Sequence, residues 1–337
     1  MTATTPQGRK DSGRRVRRRA TWGMVGERVG RAVLVVLIAT GAVVVLLALT
    51  PGTAAEAILG ENATPEAVAA LNAELGYDRP LWEQYFSWLG NAVTGDLGVS
   101  PINGEPVTDA ILARLPVTLE IAVLGLLIGL VVSVFLAIVS ATTEGSALDR
   151  AISGLSSVLL SVPAFVAGPV LIYLLAVQTG AFPVSGWNHI EDGLGPNLAS
   201  AFLPALAIAL NEIAAFHRLL RADLIGTLRE DFIAAARAKG MSRGYVMFRH
   251  ALRPSSFSLI TVMGINLGRL IGGTVVVEVL FGLPGLGQLV ATAITERDAI
   301  TVQGIVVFIA VVYVAVNTLV DLSYGFLDPR VRKAGRS

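Results

Sequence analysis

Cysteine is missing from all 337 residues. Its absence excludes disulfides, thiolate metal ligands and cysteine nucleophiles, and it leaves the redox compartment undetermined. Charge is scarce as well. Only 15% of the residues are Asp, Glu, Lys or Arg, against about 25% in a soluble domain, which is too few to wet a globular surface. There are only three lysines, Lys10, Lys239 and Lys333, and none precedes Ser or Thr. The G-x-x-x-x-G-K-[ST] loop that cradles a nucleotide's phosphates is therefore missing, and no cofactor is expected in this chain. The three histidines, His189, His217 and His250, are scattered and form no H-E-x-x-H zinc site. A net charge of +1 creates no global field for nucleic acid, so no nucleic-acid partner is expected.

What fills the chain is apolar sequence, 53% of it hydrophobic and gathered into runs. A helix rises 1.5 Å per residue, so a hydrocarbon core about 30 Å thick needs about 20 apolar residues. Six segments reach or approach that length, at 32–50, 117–140, 152–178, 198–216, 257–280 and 302–324. They predict an all-α polytopic membrane protein with six transmembrane helices, embedded in membrane lipid. The other segments are too short for a soluble catalytic domain.

Charge orients the spans. Residues 9–19 hold seven Lys/Arg and one acid, Asp11. The apolar run behind them is longer than the roughly 7–15 residues of a signal-peptide core, so they read as a cytoplasmic anchor. Residues 51–116 carry nine acids and two arginines, Arg79 and Arg114, whereas residues 217–254 carry eight Lys/Arg and three acids. The tail adds Arg330, Arg332, Lys333 and Arg336. Basic segments stay cytoplasmic, which places both termini inside and the acidic segment outside. In that acidic segment Trp82, Tyr85, Phe86 and Trp88 are spaced for one face of an amphipathic helix, expected to pack or to sit at the membrane interface.

The basic loop is not plain linker. Asp231 opens a short alanine-rich stretch with helical character, Arg237 and Lys239 fall in its last turn, and Gly240 is placed as the C-terminal cap. Ala234, Ala235 and Ala236 are small enough to let another surface approach. Arg243, Arg249 and Arg253 follow, and Pro254 opens the fifth span. Residues 240–244 also spell G-x-S-x-G, but a nucleophile elbow needs a strand before it, and the stretch before Gly240 is helical.

Inside the fifth span, Gly264, Gly268 and Gly272 form a small-residue stripe suited to close helix packing or to a moving seam. Asn266 and Arg269 share that span, and Glu278 lies near its outer end. A charge at mid-bilayer costs about 2.5–3.5 kcal/mol on insertion scales, so it faces protein or a watery cavity. Two readings of Arg269 stay open. It is an ion-pair partner of Glu120 or Glu212, or it lines a translocation path with Asn266 and Glu278 and meets a substrate carboxylate. Asn317 and Asp321, four apart on one face, read as structural.

Ala234, Ala235, Ala236 and Gly240 followed by Leu252 resemble the EAA loop of ABC importer permeases, E-A-A-x3-G-x9-I-x-L-P. The wider pattern is similar to the dipeptide/oligopeptide/nickel branch of that family. It includes Asp78-Arg79-Pro80-Leu81-Trp82, Gly95-Asp96-Leu97-Gly98, Arg114-Leu115-Pro116-Val117-Thr118-Leu119-Glu120 and Ser161-Val162-Pro163. Val277-Glu278, Leu283-Pro284-Gly285-Leu286-Gly287 and Asp328-Pro329-Arg330 extend it. The likeness spans roughly residues 30–332. Ala234 stands at the glutamate position, His250 at the isoleucine and Arg253 at the proline, so no salt bridge is available from the first.

The resemblance implies a non-catalytic pore subunit of the bacterial inner (cytoplasmic) membrane. Its partners would be a second homologous permease, ATP-binding subunits that hold ATP and Mg, and an extracytoplasmic substrate-binding protein. Residues 231–240 would be the coupling helix. Peptides are the implied cargo, with nickel or another small solute as the alternative. A secondary transporter or channel is the reading from another class, disfavoured by the lack of an inverted repeat. The resulting division is 1–31 basic extension, 32–116 first span and acidic segment, 117–325 five-helix core with the coupling loop at about 229–254, and 326–337 basic tail.

Overall fold

The computed structural model describes residue 30 and residues 33–49 and 52–327, with side chains to residue 320. The cations at 9–19, the tail's Arg330, Arg332, Lys333 and Arg336, and the side chain of Asp321 lie outside the described residues. Among those described, every regular element is helical, and one isolated bridge pairs Val99 with Pro106.

The helices are α1 (Val33–Leu49), α2 (Ala54–Leu59), α3 (Pro65–Leu75), α4 (Leu81–Val93), α5 (Val107–Thr142) and α6 (Ala147–Ser161). Next come α7 (Ala164–Leu171), which runs into a π-helical turn, then α8 (Leu194–Leu228) and α9 (Asp231–Ala238). The chain ends with α10 (Arg243–Gly273), α11 (Val275–Phe281), α12 (Leu286–Thr295) and α13 (Ala299–Leu327). Helices α5, α8, α10 and α13 are each long and apolar enough to cross a membrane, and bent pairs raise the count of candidate spans from four to as many as seven. The chain is an all-helical, multi-pass membrane protein.

Glycines set how the long helices run. A Cβ on Gly125 would press on Ile208 and Ala205, and one on Gly129 would lie 2.9 Å from the Glu212 Cβ. Partner numbers rise together, so α5 and α8 are parallel and close. The return between them begins with α6, antiparallel to α8: Asp149 meets Arg221, Ser156 meets His217, and the Val162 carbonyl meets Asn211. The apolar run 152–178 reads as one span, yet it turns by 106° between α6 and α7. Pro163 is the cause, because it pushes the residue before it out of helical geometry, and Val162 is extended at φ −94, ψ 111.

The stripe of Gly264, Gly268 and Gly272 packs within the chain, against Val320, Tyr313 with Val316, and Ile309 in turn. Here partner numbers fall as α10 rises, so α10 and α13 are antiparallel. The segment between them therefore leaves and returns at one end of the bundle. It does so through α11 and α12, which meet at 84° across Gly282 (φ +63) and Pro284. The expected fifth helix thus ends at Gly273, and Glu278 belongs to the separate α11. Helix α8 runs to Leu228, past the expected end at Phe216, because His217, Leu220 and Leu224 are buried. One apolar core extends from Ile121 and Leu126 through Phe216 and Leu224 to Ile233 of α9.

The aromatic set of α4 divides. Tyr85 and Trp88 turn inward, where the Tyr85 hydroxyl meets Thr40 Oγ1 (2.8 Å) and Trp88 Nε1 donates to the Leu97 carbonyl (3.1 Å). Trp82 and Phe86 are exposed. A helical turn of 100° per residue separates these pairs, which corrects the reading of a single stripe.

Candidate functional site

Helix α9 starts directly beyond α8 and stands on two inward side chains. Ile233 and Ala236, three residues apart and so on one face, are buried in the common core. The helix closes in a Schellman turn: Gly240 N donates to the Arg237 carbonyl (3.0 Å) and Met241 N to that of Ala236 (3.3 Å). Gly240 takes φ +77, a left-handed position that glycine adopts without the Cβ clash of other residues. Asp231, Ala234, Ala235, Arg237 and Lys239 are exposed. Ala236 is not: it packs against its own chain, which corrects its expected place on the contact face.

Sequence reasoning missed the aromatic part of this surface. Phe232 (48% exposed), Met241, Tyr245 and Phe248 (63%) are exposed on α9, the turn after it and the start of α10, beside the exposed cations Arg237, Lys239, Arg243 and Arg249. Exposed apolar patches of this kind mark contact surfaces. The Ser242 hydroxyl accepts from Tyr245 N (3.3 Å), so the serine of the G-x-S-x-G string is a helix cap.

An unforeseen clamp fixes α8 close to α9. Arg221 holds Asp149 with two bonds of 2.7 Å, from Nε to Oδ1 and from Nη2 to Oδ2. Ser140 donates to the same carboxylate, as does Gly145 N (2.9 Å). Arg229 adds an outer pair with Glu144 at 2.7 Å. The bidentate fork is the strong form of such contacts, and it ties the α5–α6 turn to the helix that leads into α9.

Two further polar clusters involve the residues expected on the path. Arg269 Nη2 meets Glu212 Oε1 at 2.6 Å, and Asn266 Nδ2 donates to Oε2 at 2.5 Å. The Glu212 side chain is 2% exposed, but that of Arg269 is 62% exposed. Both line a cleft of about 380 Å³ with Asn211, walled by Leu160, Ala164 and Leu270. Arg269 thus forms the ion pair and also faces open space. Of the two expected partners, Glu120 and Glu212, it is Glu212 that pairs with Arg269.

Glu278 is elsewhere. Expected on the path, it is fully buried. It accepts from Thr118 Oγ1 (2.9 Å), Thr274 Oγ1 (2.7 Å), Gly287 N (2.6 Å) and Gln288 N (3.3 Å). Thr118 also accepts from Leu286 N (2.8 Å). Two of these amides open α12, where a helix N-terminus favours negative charge. A Cβ on Gly285 or Gly287 would collide with the Glu278 carboxylate. The Arg114–Glu120 and Leu283–Gly287 strings, far apart in the chain, are therefore two sides of one joint. The physical reason for correcting the Glu278 assignment is that no face of its carboxylate is left open.

The chain is thus a multi-pass helical protein with an exposed short helix between two spans and a half-open polar cleft. Residues 133–333 match the family described as "Binding-protein-dependent transport system inner membrane component", and residues 24–122 match "Binding-prot-dependent transport system membrane comp, N-term". The chain is 38% identical over 287 residues to a probable peptide ABC transporter permease protein of Sinorhizobium fredii, covering 85% of this chain and 92% of that one. It is 38% identical over 309 residues to a putative peptide transport system permease protein of Brucella abortus (92% and 98%). A dipeptide transport system permease protein of Escherichia coli is 34% identical over 308 residues (84% and 90%). The chain belongs to this family of ABC transporter inner membrane components.

Proposed function

We propose that this chain is one half of the translocation pathway of an ATP-driven importer of peptides in the bacterial inner membrane. The observation that carries the reading is α9, anchored inward by Ile233 and Ala236 while Phe232, Ala234 and Ala235 stay open to a partner. ATP and Mg belong to a separate ATPase subunit that seats on this helix. The clamp of Asp149 and Arg221 passes its displacement to α5 and α6. A second, homologous permease completes the pore, and a substrate-binding protein delivers cargo from outside. The names of the relatives, peptide and dipeptide, support the cargo class.

Six spans fit this reading: α1, α5, the bent α6–α7, α8, α10 and α13, with α11–α12 re-entrant. The parallel α5 and α8 and the antiparallel α10 and α13 support that count, and the basic loop and tail support cytoplasmic termini. The division into a basic extension (1–31), first span and acidic segment (32–116), core (117–325) and basic tail (326–337) goes with it. Arg269 and Asn266 line the path, and Glu278 braces it from behind.

Ala235→Arg tests the docking reading. The site is exposed, so the fold is kept. The variant is expected to insert at the wild-type level, to lose the co-purifying ATPase and to bring uptake to background. Gly240→Asp, which forces a side chain into the left-handed turn, is expected to do the same at lower expression. Intact ATPase capture and uptake in both variants would sink the assignment.

A further inference from the structure

A pocket of about 270 Å³ lies at the end of the bundle where α1 ends and α13 begins, the end opposite α9. One wall is apolar, with Val44, Leu47 and Ala48 of α1 and Leu81 of α4. The other wall holds Tyr77, Gln84, Arg297 and Gln303. Two buried atoms there have no hydrogen-bond partner, the Arg297 Nη1 and the Tyr77 hydroxyl. A buried donor left unsatisfied is costly, and here two of them belong to residues that line one pocket.

The neighbouring acids are engaged with backbone and hydroxyl donors. Asp298 accepts from Thr301 N (3.0 Å) and Thr301 Oγ1 (2.6 Å). Glu56, which approaches the guanidinium beside Gly52, accepts from Thr53 N (3.1 Å). Burial, with Asp298 nearby, pushes the Tyr77 phenol up to about 12, so it remains an O–H donor at neutral pH. Arg297 has φ +63, the single left-handed non-glycine among the described residues. It occupies the turn closed by Asp298 N on the Ala293 carbonyl (2.8 Å), a place that glycine fills with less strain. Backbone strain at a residue whose side chain lines a pocket is a pointer to a ligand.

An unpaired guanidinium N–H and a phenol O–H on residues of one pocket suit an anion with several acceptor oxygens, and Arg is the side chain best shaped for phosphate. The apolar wall narrows the source of that phosphate. Val45 and Leu49 of α1 are exposed beside the pocket, as are Trp82 and Phe86 of α4, an aromatic pair of the sort found at the headgroup level. We propose that this pocket binds the phosphodiester of one phospholipid, with Arg297 and Tyr77 donating to its oxygens and the acyl chains lying along α1. The inference rests on the membrane fold and stands apart from the importer reading.

The test uses the full transporter, co-purified and stripped of loosely held lipid. Native mass spectrometry is expected to find one phospholipid retained by wild type and lost from both Arg297→Gln and Arg297→Gly. Added phosphatidylglycerol is expected to raise the melting temperature of wild type and of neither variant. Tyr77→Phe is expected to weaken retention by about tenfold, the loss of one hydrogen bond to a charged group. Arg297→Gly relaxes the backbone, so a loss of lipid there is not a loss of fold. Equal retention by wild type and Arg297→Gln would overturn the site. Protection of wild type by inorganic phosphate equal to that by phosphatidylglycerol would overturn the lipid in favour of a free anion.

Discussion

Glu212 and Glu278 are both sealed carboxylates in apolar helices, and they differ in what holds them. Glu278 is held by two hydroxyls, of Thr118 on α5 and Thr274 just before α11, and by two amides of α12, all but the part-buried Gln288 amide sealed in the interior. Glu212 is held by Asn266 and by a guanidinium that is 62% exposed. Burial alone does not separate a structural carboxylate from a functional one. What separates them is whether the partner reaches open space. A charge fixed by interior dipoles is a joint. A charge neutralised through an exposed cation leaves that cation able to exchange partners with a passing anion.

The largest effect expected from this contrast is that of Glu278→Ala. It strands three buried donors, each worth about 1–3 kcal/mol when unsatisfied, and one part-buried one, so the loss exceeds about 3 kcal/mol. Little monodisperse protein should survive detergent extraction, and normal yield with an unchanged melting temperature would dissolve the contrast. Arg269→Gln ranks next. The protein should assemble, and the preference for a free peptide over its C-terminal amide should fall by about tenfold, in line with about 1.5–3 kcal/mol for a hydrogen bond to a charged group. An uptake preference that does not move would remove Arg269 from the path. Thr118→Val is the smallest. It takes one hydroxyl from the Glu278 joint and should cost about 1–2 kcal/mol of stability while leaving uptake per folded molecule unchanged. A change in peptide preference would show that the joint also faces cargo.

Much of this arrangement is legible in residues alone. Apolar runs locate the long helices, and Gly240 marks the end of α9 because a left-handed stop after an alanine-rich helix has few other uses. The inward turn of Ala236 was within reach too, since Ile233 lies three residues before it. Other features were hidden by physical circumstance. The run 152–178 is apolar on both sides of Pro163, so hydropathy does not register a 106° bend. Helix α12 is short and follows a proline, so it reads as loop. Glu278 reads as a pore residue in the sequence because Thr118, its partner, is 160 positions away. Arg221 reads as loop charge in the sequence because its counter-ion, Asp149, sits on another helix.

The absence of cysteine makes the decisive measurement direct. Arg269→Cys and Thr274→Cys each place a single thiol, the first at the exposed cleft residue and the second at a fully buried one. Both would be treated with a membrane-impermeant, water-borne thiol reagent in the assembled transporter. If Arg269 faces a watery path, the thiol at 269 reacts at least about tenfold faster than that at 274, and peptide cargo slows it. Equal, slow reaction at both positions, or a fast reaction at 269 that cargo leaves untouched, would contradict the division between an open site and a closed joint.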